Sequence, residues 1–93
     1  MCSKGYPESY KKNIEIPNLK NLELNKNNFI YHAGTKISDD TIHAVGGRVL
    51  NFVSLSSTFK NSRERALKLI NQLNWENGFF RKDIGFKIID KWE

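Results

Sequence analysis

In this 93-residue sequence, Gly46-Gly47-Arg48 is the segment best suited to chemistry. Two adjacent residues without side chains let a ligand approach backbone N–H groups, and the guanidinium that follows can grip a phosphate or carboxylate through two parallel hydrogen bonds. The same tripeptide also suits a tight bend or bulge between two strands with a surface arginine beside it. It is not a phosphate loop of the nucleotide-hydrolase type, because the glycine spacing that ends in Gly-Lys-Ser/Thr is absent. Arg81-Lys82-Asp83-Ile84-Gly85 sets two cations beside an acid and a glycine, which fits either an anion contact or an ion pair across a domain boundary. His32 and His43 titrate near neutrality in principle, but no third residue stands at a metal-binding spacing from them. His32 reads as a hydrogen-bonded strand residue and His43 as an exposed one. Ser54, Ser56, Ser57 and Thr58 mark the end of a strand and the approach to a helix, and lack the elbow that presents a nucleophile. The spacing nominates no catalytic residue and no metal ligand.

The elements that must carry these residues are short. Ile14 and Ile16 alternate with Glu15 and end at Pro17, which has no N–H to donate and so suits a strand end. Phe29 to Ala33 is a β-prone run stopped by Gly34. Ser38-Asp39-Asp40 is a turn signal, and Thr41 to Val45 is expected to return as the antiparallel partner of the Phe29–Ala33 strand. After the glycine pair, Arg48 to Leu55 is expected to be extended, with Val49, Val53 and Leu55 on one face and Leu50 and Phe52 on the other. From about Asn61 the period changes: Ala66, Leu67, Ile70 and Leu73 fall on one helical face. Asn61 with Glu64 resembles a capping box, and Asn77-Gly78 supplies a stop. Ile84, Phe86 and Ile88 alternate again and predict a last strand. With no repeat, low-complexity tract or linker, the chain reads as one α+β unit, a small antiparallel sheet packed with one main helix.

Composition narrows the function. At 39% hydrophobic and 27% charged, the chain is too apolar and too patterned for intrinsic disorder. No apolar run is long enough to cross a bilayer, and the start lacks a basic segment followed by a hydrophobic one. Cys2 is the only cysteine, which excludes an internal disulfide and fits a reducing, cytoplasmic setting. A net charge of +5 raises nucleic-acid binding as a function. Eleven of the fifteen basic residues are lysines, however, and they are interleaved with acids; the tight pairs are Lys11-Lys12 and Arg63/Arg65. Scattered charge of this kind is ordinarily a solvated surface. Trp75, Phe79 and Phe80 read as core or interface packing, because a base-stacking platform needs aromatics presented together on an open strand face.

Four segments taken together carry a resemblance: Ser3-Lys4-Gly5-Tyr6-Pro7 followed by Tyr10, His32-Ala33-Gly34-Thr35, Gly46-Gly47-Arg48-Val49-Leu50, and Phe80-Arg81-Lys82-Asp83-Ile84-Gly85. Their order and spacing resemble the C-terminal domain of the glycinamide ribonucleotide synthetases, the phosphoribosylamine–glycine ligase family, from Met1 to about Ile89. The resemblance implies part of an ATP-grasp ligase of de novo purine synthesis. In that family ATP, supported by Mg or Mn, activates the glycine carboxylate as an acyl phosphate, and the amine of phosphoribosylamine attacks it. The ATP- and metal-binding residues belong to the central ATP-grasp domain, which this sequence does not match. The resemblance therefore implies that residues 1–93 are a C-terminal domain, inactive alone, whose partners are the N-terminal and ATP-grasp domains of the same enzyme. ATP and metal would be bound by the full-length enzyme and not by this segment.

Residue by residue, the resemblance makes Arg48 the expected contact to the 5′-phosphate of phosphoribosylamine, with Gly46 and Gly47 allowing close backbone approach. Lys4, Tyr6, His32 and Thr35 match family positions that line the substrate or shape its loops. Arg81 and Asp83 match positions for a domain interface or a ligand contact. Asn13 and Asn18 stand where the family usually has glycine, and asparagine tolerates positive φ. Phe80 replaces a common tyrosine and removes a hydroxyl. Met1-Cys2-Ser3-Lys4 matches the end of a family strand that normally begins earlier, so the expectation is a segment of a longer chain. The competing reading is a stand-alone basic module that binds nucleic acid or another anionic partner.

Overall fold

The computed structural model describes residues 1–22 and 24–85. In chain order the elements are β1 (Cys2–Ser3), β2 (Ile14–Glu15), a 3-10 turn (Leu19–Asn21), β3 (Asn28–His32), β4 (Thr35–Ser38), β5 (Thr41–Ala44), β6 (Leu50–Ser54), α1 (Phe59–Leu73) and β7 (Gly78–Phe79). The class is α+β, as the residue pattern predicts. Among the described residues the strands divide among three small antiparallel sheets instead of one: β1 with β7, β2-β5-β4, and β3 with β6.

The pairing of the central strands differs from the sequence expectation. Residues 41–44 pair with β4 and β2, while β3 pairs with β6 in the register Ile30↔Phe52 and Tyr31↔Asn51. As expected, the extended run stops at the bend of Ala33 and Gly34: β3 ends at His32 and the chain resumes as β4 at Thr35. The tight turn at Asp39 and Asp40, both in the left-handed region at φ 51° and 62°, then folds β5 back on β4. Two consecutive left-handed residues match the right-handed twist of the flanking strands, and aspartate tolerates that conformation. Asn13 and Asn18 also adopt positive φ, at 58° and 65°.

Strict alternation also fails at the start of β6, where Val49 and Leu50 are both buried. The carbonyl of Met1 accepts from both Val49 N (3.0 Å) and Leu50 N (3.3 Å), a bulge-like arrangement that turns two successive side chains inward. Leu50 is followed by Phe52, which packs on the same core as its cross-strand neighbour Ile30.

Helix α1 starts two residues before Asn61. Its cap is Thr58, whose extended backbone (φ −130°, ψ 154°) presents Oγ1 to the Asn61 N–H at 3.1 Å. Asn61 is thus the capped residue and not the cap. The helix ends at Asn74 in the left-handed conformation, not at Asn77-Gly78. Asn18 Nδ2 donates to the Leu73 carbonyl at 3.1 Å, which satisfies one of the helix's terminal acceptors. Leu69, Ile70 and Leu73 are the buried helical residues, while Ala66 and Leu67 are half-buried. Gly78 belongs to β7, where a side chain would run into the Trp75 ring.

The core joins these pieces: Ile16, Ala44, Val49, Leu50, Leu73 and Trp75 are buried against one another. Full burial of a side chain such as Leu50 or Leu73 contributes about 1.5–3 kcal/mol. Ile84 lies in a turn and is exposed; the remainder of the expected last strand, from Phe86 on, falls outside the described residues.

Candidate functional site

The turn Gly46–Arg48 is gripped by two other loops. On one side Ser3, itself buried, donates its backbone N–H to the Gly47 carbonyl (2.7 Å) and its hydroxyl to the Gly46 carbonyl (2.8 Å). On the other, Gly34 N donates to the Arg48 carbonyl at 3.0 Å, and Ala33 N to the Val49 carbonyl at 2.9 Å. A Cβ on Gly34 would stand 2.6 Å from that Arg48 oxygen and 2.9 Å from Gly46 Cα, so only glycine allows the two turns to touch.

The loop after β1 supplies the third wall. Gly5, at φ 99°, holds a conformation other residues adopt at a cost, and its carbonyl accepts from Glu8 N at 3.0 Å. This turn, which contains the cis Tyr6–Pro7 peptide, sets the Tyr6 ring against Gly47; Tyr10 lies beside it, its ring centroid 6.4 Å from that of Tyr6. The volume that Gly46-Gly47 leaves free is therefore occupied at residue 47 by Tyr6.

Arg48 is exposed, with its backbone locked on both sides, and among the described residues no carboxylate lies within ion-pair distance of it. His32 is exposed, and its Nδ1 hydrogen-bonds with Thr35 Oγ1 at 2.9 Å, bracing the turn that contains Gly34. This bears out the strand reading of His32; His43, expected to be exposed, is half-buried in the middle of the β2-β5-β4 sheet. Lys4 N donates to the Asn77 carbonyl at 2.8 Å, and its side chain lines a separate concavity.

Arg81 and Asp83 form a local pair, Nε to Oδ1 at 3.2 Å and Nη2 to Oδ2 at 3.0 Å, with both side chains largely in solvent. The hydrogen bonds from Arg81 hold the Asp83 carboxyl below the ordinary aspartate range. No hydrogen bond or ion pair among the described residues joins this pair to the Gly46–Arg48 turn.

Tyr6, His32, Thr35, Gly46, Gly47 and Arg48 thus belong to three turns that meet. Ser3 and Gly34, which clamp them, stand within the Ser3–Pro7 and His32–Thr35 segments that carry the resemblance, but their residue types alone give no sign of the clamping role. Chemically, the arrangement is a fixed backbone carrying a guanidinium with no carboxylate partner among the described residues, suited to holding and orienting an anionic group. Among the described residues there is no group of three or more His, Cys, Asp or Glu that could hold a metal ion, and no helix long and apolar enough to cross a membrane.

Comparisons with known proteins place these turns in context. The family described as phosphoribosylglycinamide synthetase, C domain, matches residues 1–87. The phosphoribosylamine–glycine ligase of Caldanaerobacter subterraneus is 45% identical over 83 residues, covering 89% of this chain and 19% of that protein. That of Agrobacterium fabrum is 39% identical over 89 residues, covering 96% of the chain and 21% of the relative. The chain spans about a fifth of the length of the curated relatives it matches. The crystal structure of the phosphoribosylamine–glycine ligase of Thermotoga maritima superposes with a TM-score of 0.68 at 28% identity, over 88% of this chain and 19% of that one.

Proposed function

Because this chain belongs to the phosphoribosylglycinamide synthetase C-domain family, we propose that residues 1–93 act as the C-terminal domain of a cytoplasmic phosphoribosylamine–glycine ligase and supply the phosphate-binding side of its substrate site. The observation that carries this reading is the convergence of three turns on Arg48, whose backbone is held by Ser3 and Gly34 while its side chain stays unpaired among the described residues. In this reading Arg48 binds the 5′-phosphate of phosphoribosylamine. Gly46 and Gly47 shape the turn that presents it, and His32 and Thr35 brace the neighbouring turn. Tyr6 and Lys4 hold the loop after β1, and Arg81 and Asp83 stabilise the segment after β7.

The overall reaction in this proposal joins glycine to phosphoribosylamine with ATP and Mg or Mn. The described residues contain no cluster that fits the metal, so nucleotide, metal and bond-making belong to the N-terminal and ATP-grasp portions, and no step is assigned to this segment beyond binding and orientation. The 93 residues alone are expected to show no turnover.

The test is a chimera in which these residues replace the matching segment of the Caldanaerobacter relative. Arg48→Ala should raise KM for phosphoribosylamine at least roughly tenfold, with KM for ATP nearly unchanged, as expected for loss of one charge-assisted contact of about 1.5–3 kcal/mol. Unchanged phosphoribosylamine kinetics would remove Arg48 from the site.

A further inference from the structure

Among the described residues, strand β6 is paired on one side only, with β3. Ala33 N donates to the Val49 carbonyl at 2.9 Å and Leu55 N to the Asn27 carbonyl at 2.8 Å. In an antiparallel ladder the hydrogen-bonded pairs alternate, so this register commits the backbone groups of residues 49, 51, 53 and 55 to β3. Those of Leu50, Phe52 and Ser54 point the other way. At Leu50 they are used: the Met1 ammonium donates to the Leu50 carbonyl at 2.7 Å, and Leu50 N donates to the Met1 carbonyl at 3.3 Å. At Phe52 and Ser54 the same edge has no backbone partner among the described residues.

That edge lacks the usual defences. Strands at a sheet edge are ordinarily blunted by charged side chains, proline or a bulge. Leu50-Asn51-Phe52-Val53-Ser54 contains no charge and no proline, and the bulge-like turn at Val49-Leu50 lies before the open stretch begins. The outer face beside the edge is apolar too. Ile30 and Phe52 pack on the core, so alternation sets Phe29, Tyr31 and Val53 on the opposite face. There the rings of Phe29 and Tyr31, both exposed, stack with centroids 6.3 Å apart.

We propose that the Phe52–Ser54 edge is a docking site for an extended polypeptide strand, antiparallel to β6 and apolar at the positions beside Val53. The backbone groups of Phe52 and Ser54 recur every second residue, about 6.8 Å apart, a repeat that another strand matches. The direction comes from Met1 and Cys2, which already run antiparallel to residues 48–50 on this edge, so an incoming strand continues an existing ladder. Main-chain bonds to Phe52 and Ser54 supply affinity, and side chains beside Val53 extend the Phe29–Tyr31 face. The inference does not rest on the ligase reading.

The experiment is a titration of the 15N-labelled 93-residue protein with the capped peptide Glu-Val-Thr-Val-Thr-Val-Lys, following backbone amide signals and hydrogen exchange. Without peptide, the Phe52 and Ser54 amides are expected to exchange freely. With peptide they should shift saturably and exchange roughly tenfold more slowly or less. Replacing both peptide threonines by proline removes the N–H groups that face β6 and should weaken binding at least roughly tenfold. Ser54→Pro takes a donor from the open edge and none from the β3 ladder, and should weaken binding to a similar extent. Val53→Lys leaves the backbone groups in place, sets a charge on the outer face and should weaken binding several-fold. Phe52 and Ser54 amides already protected in the protein alone, signals unmoved by the valine peptide, or an equal response to the proline peptide would overturn the proposal. Undiminished binding by Val53→Lys and a folded Ser54→Pro would do the same. Protection of these amides that grows with protein concentration would also overturn it, assigning the edge to a second copy of the chain.

Discussion

The ring of Tyr6 lies against Gly47, in the volume that a Cβ on residue 47 would require. Gly47→Ala is therefore expected to destabilise the protein by about 1–3 kcal/mol, the usual cost of overpacking a filled site. Gly46→Ala should cost less, because the nearest atom to its Cβ is Gly34 Cα at 3.3 Å. Urea denaturation of both variants and of Gly47→Ala in a Tyr6→Ala background checks the cause. If Tyr6 is the obstacle, the penalty shrinks in the double variant.

Thr58, not Asn61, caps the helix. Thr58→Ala should lower stability by about 1 kcal/mol and Thr58→Ser by much less, since serine keeps the accepting hydroxyl. Asn61 contributes its backbone N–H to the cap, which Asn61→Ala retains, so that variant should unfold close to the parent. A larger loss at Asn61 than at Thr58, in thermal or urea melts, would contradict this assignment.

The Met1 ammonium is half-buried and donates to the Leu50 carbonyl at 2.7 Å. Burial lowers its pKa below the ordinary α-amino value of 8.0, the charge on Cys2 opposing that shift. The unfolded chain then binds more protons than the folded one between the two values, so stability rises with pH across that window and levels off above 8.0. Below the folded value the cost of keeping the buried amine charged is fully present. N-terminal acetylation keeps an N–H donor but removes the titration; melts across this range should slope for the free amine and stay flat for the acetylated protein.

Asp83 titrates below the usual carboxylate range chiefly because Arg81 hydrogen-bonds to it. Arg81→Gln should move the Asp83 midpoint upward, as read from its side-chain NMR signals. The sign for stability follows: the pair favours the folded state above the unfolded aspartate pKa and ceases to do so as pH falls through the lower folded value. Both groups are solvated, so the effect on global unfolding should be small.

Local features were legible in the residues. The helix, the turn at Asp39-Asp40 and the hydrogen-bonded role of His32 all depend on near neighbours, while the positive φ at Asn13 and Asn18 was implied by the family resemblance, which has glycine there. Each is decided by periodicity, side-chain size or tolerance of the left-handed region. The family was legible too, because its motifs are sets of residue types at set spacings.

Partnership was not legible. Nothing in Phe29–Ala33 tells the strand to choose residues 50–54 over the nearer 41–44, because both are β-prone and either pairing satisfies backbone hydrogen bonds. The choice follows from where Ile30, Phe52 and the helix bury their apolar faces together, a many-body packing condition. The same holds at the candidate site. The sequence by itself determined that a Gly-Gly-Arg turn exists and that a charged group follows two small residues. Only the tertiary structure decided that Ser3 and Gly34 grip that turn from opposite sides and that Tyr6 takes the space beside Gly47. Such contacts join segments more than forty residues apart in some cases, as Ser3 with Gly46 does. Local propensity carries no information about which distant surfaces meet; burial of apolar area and satisfaction of backbone polar groups select that arrangement.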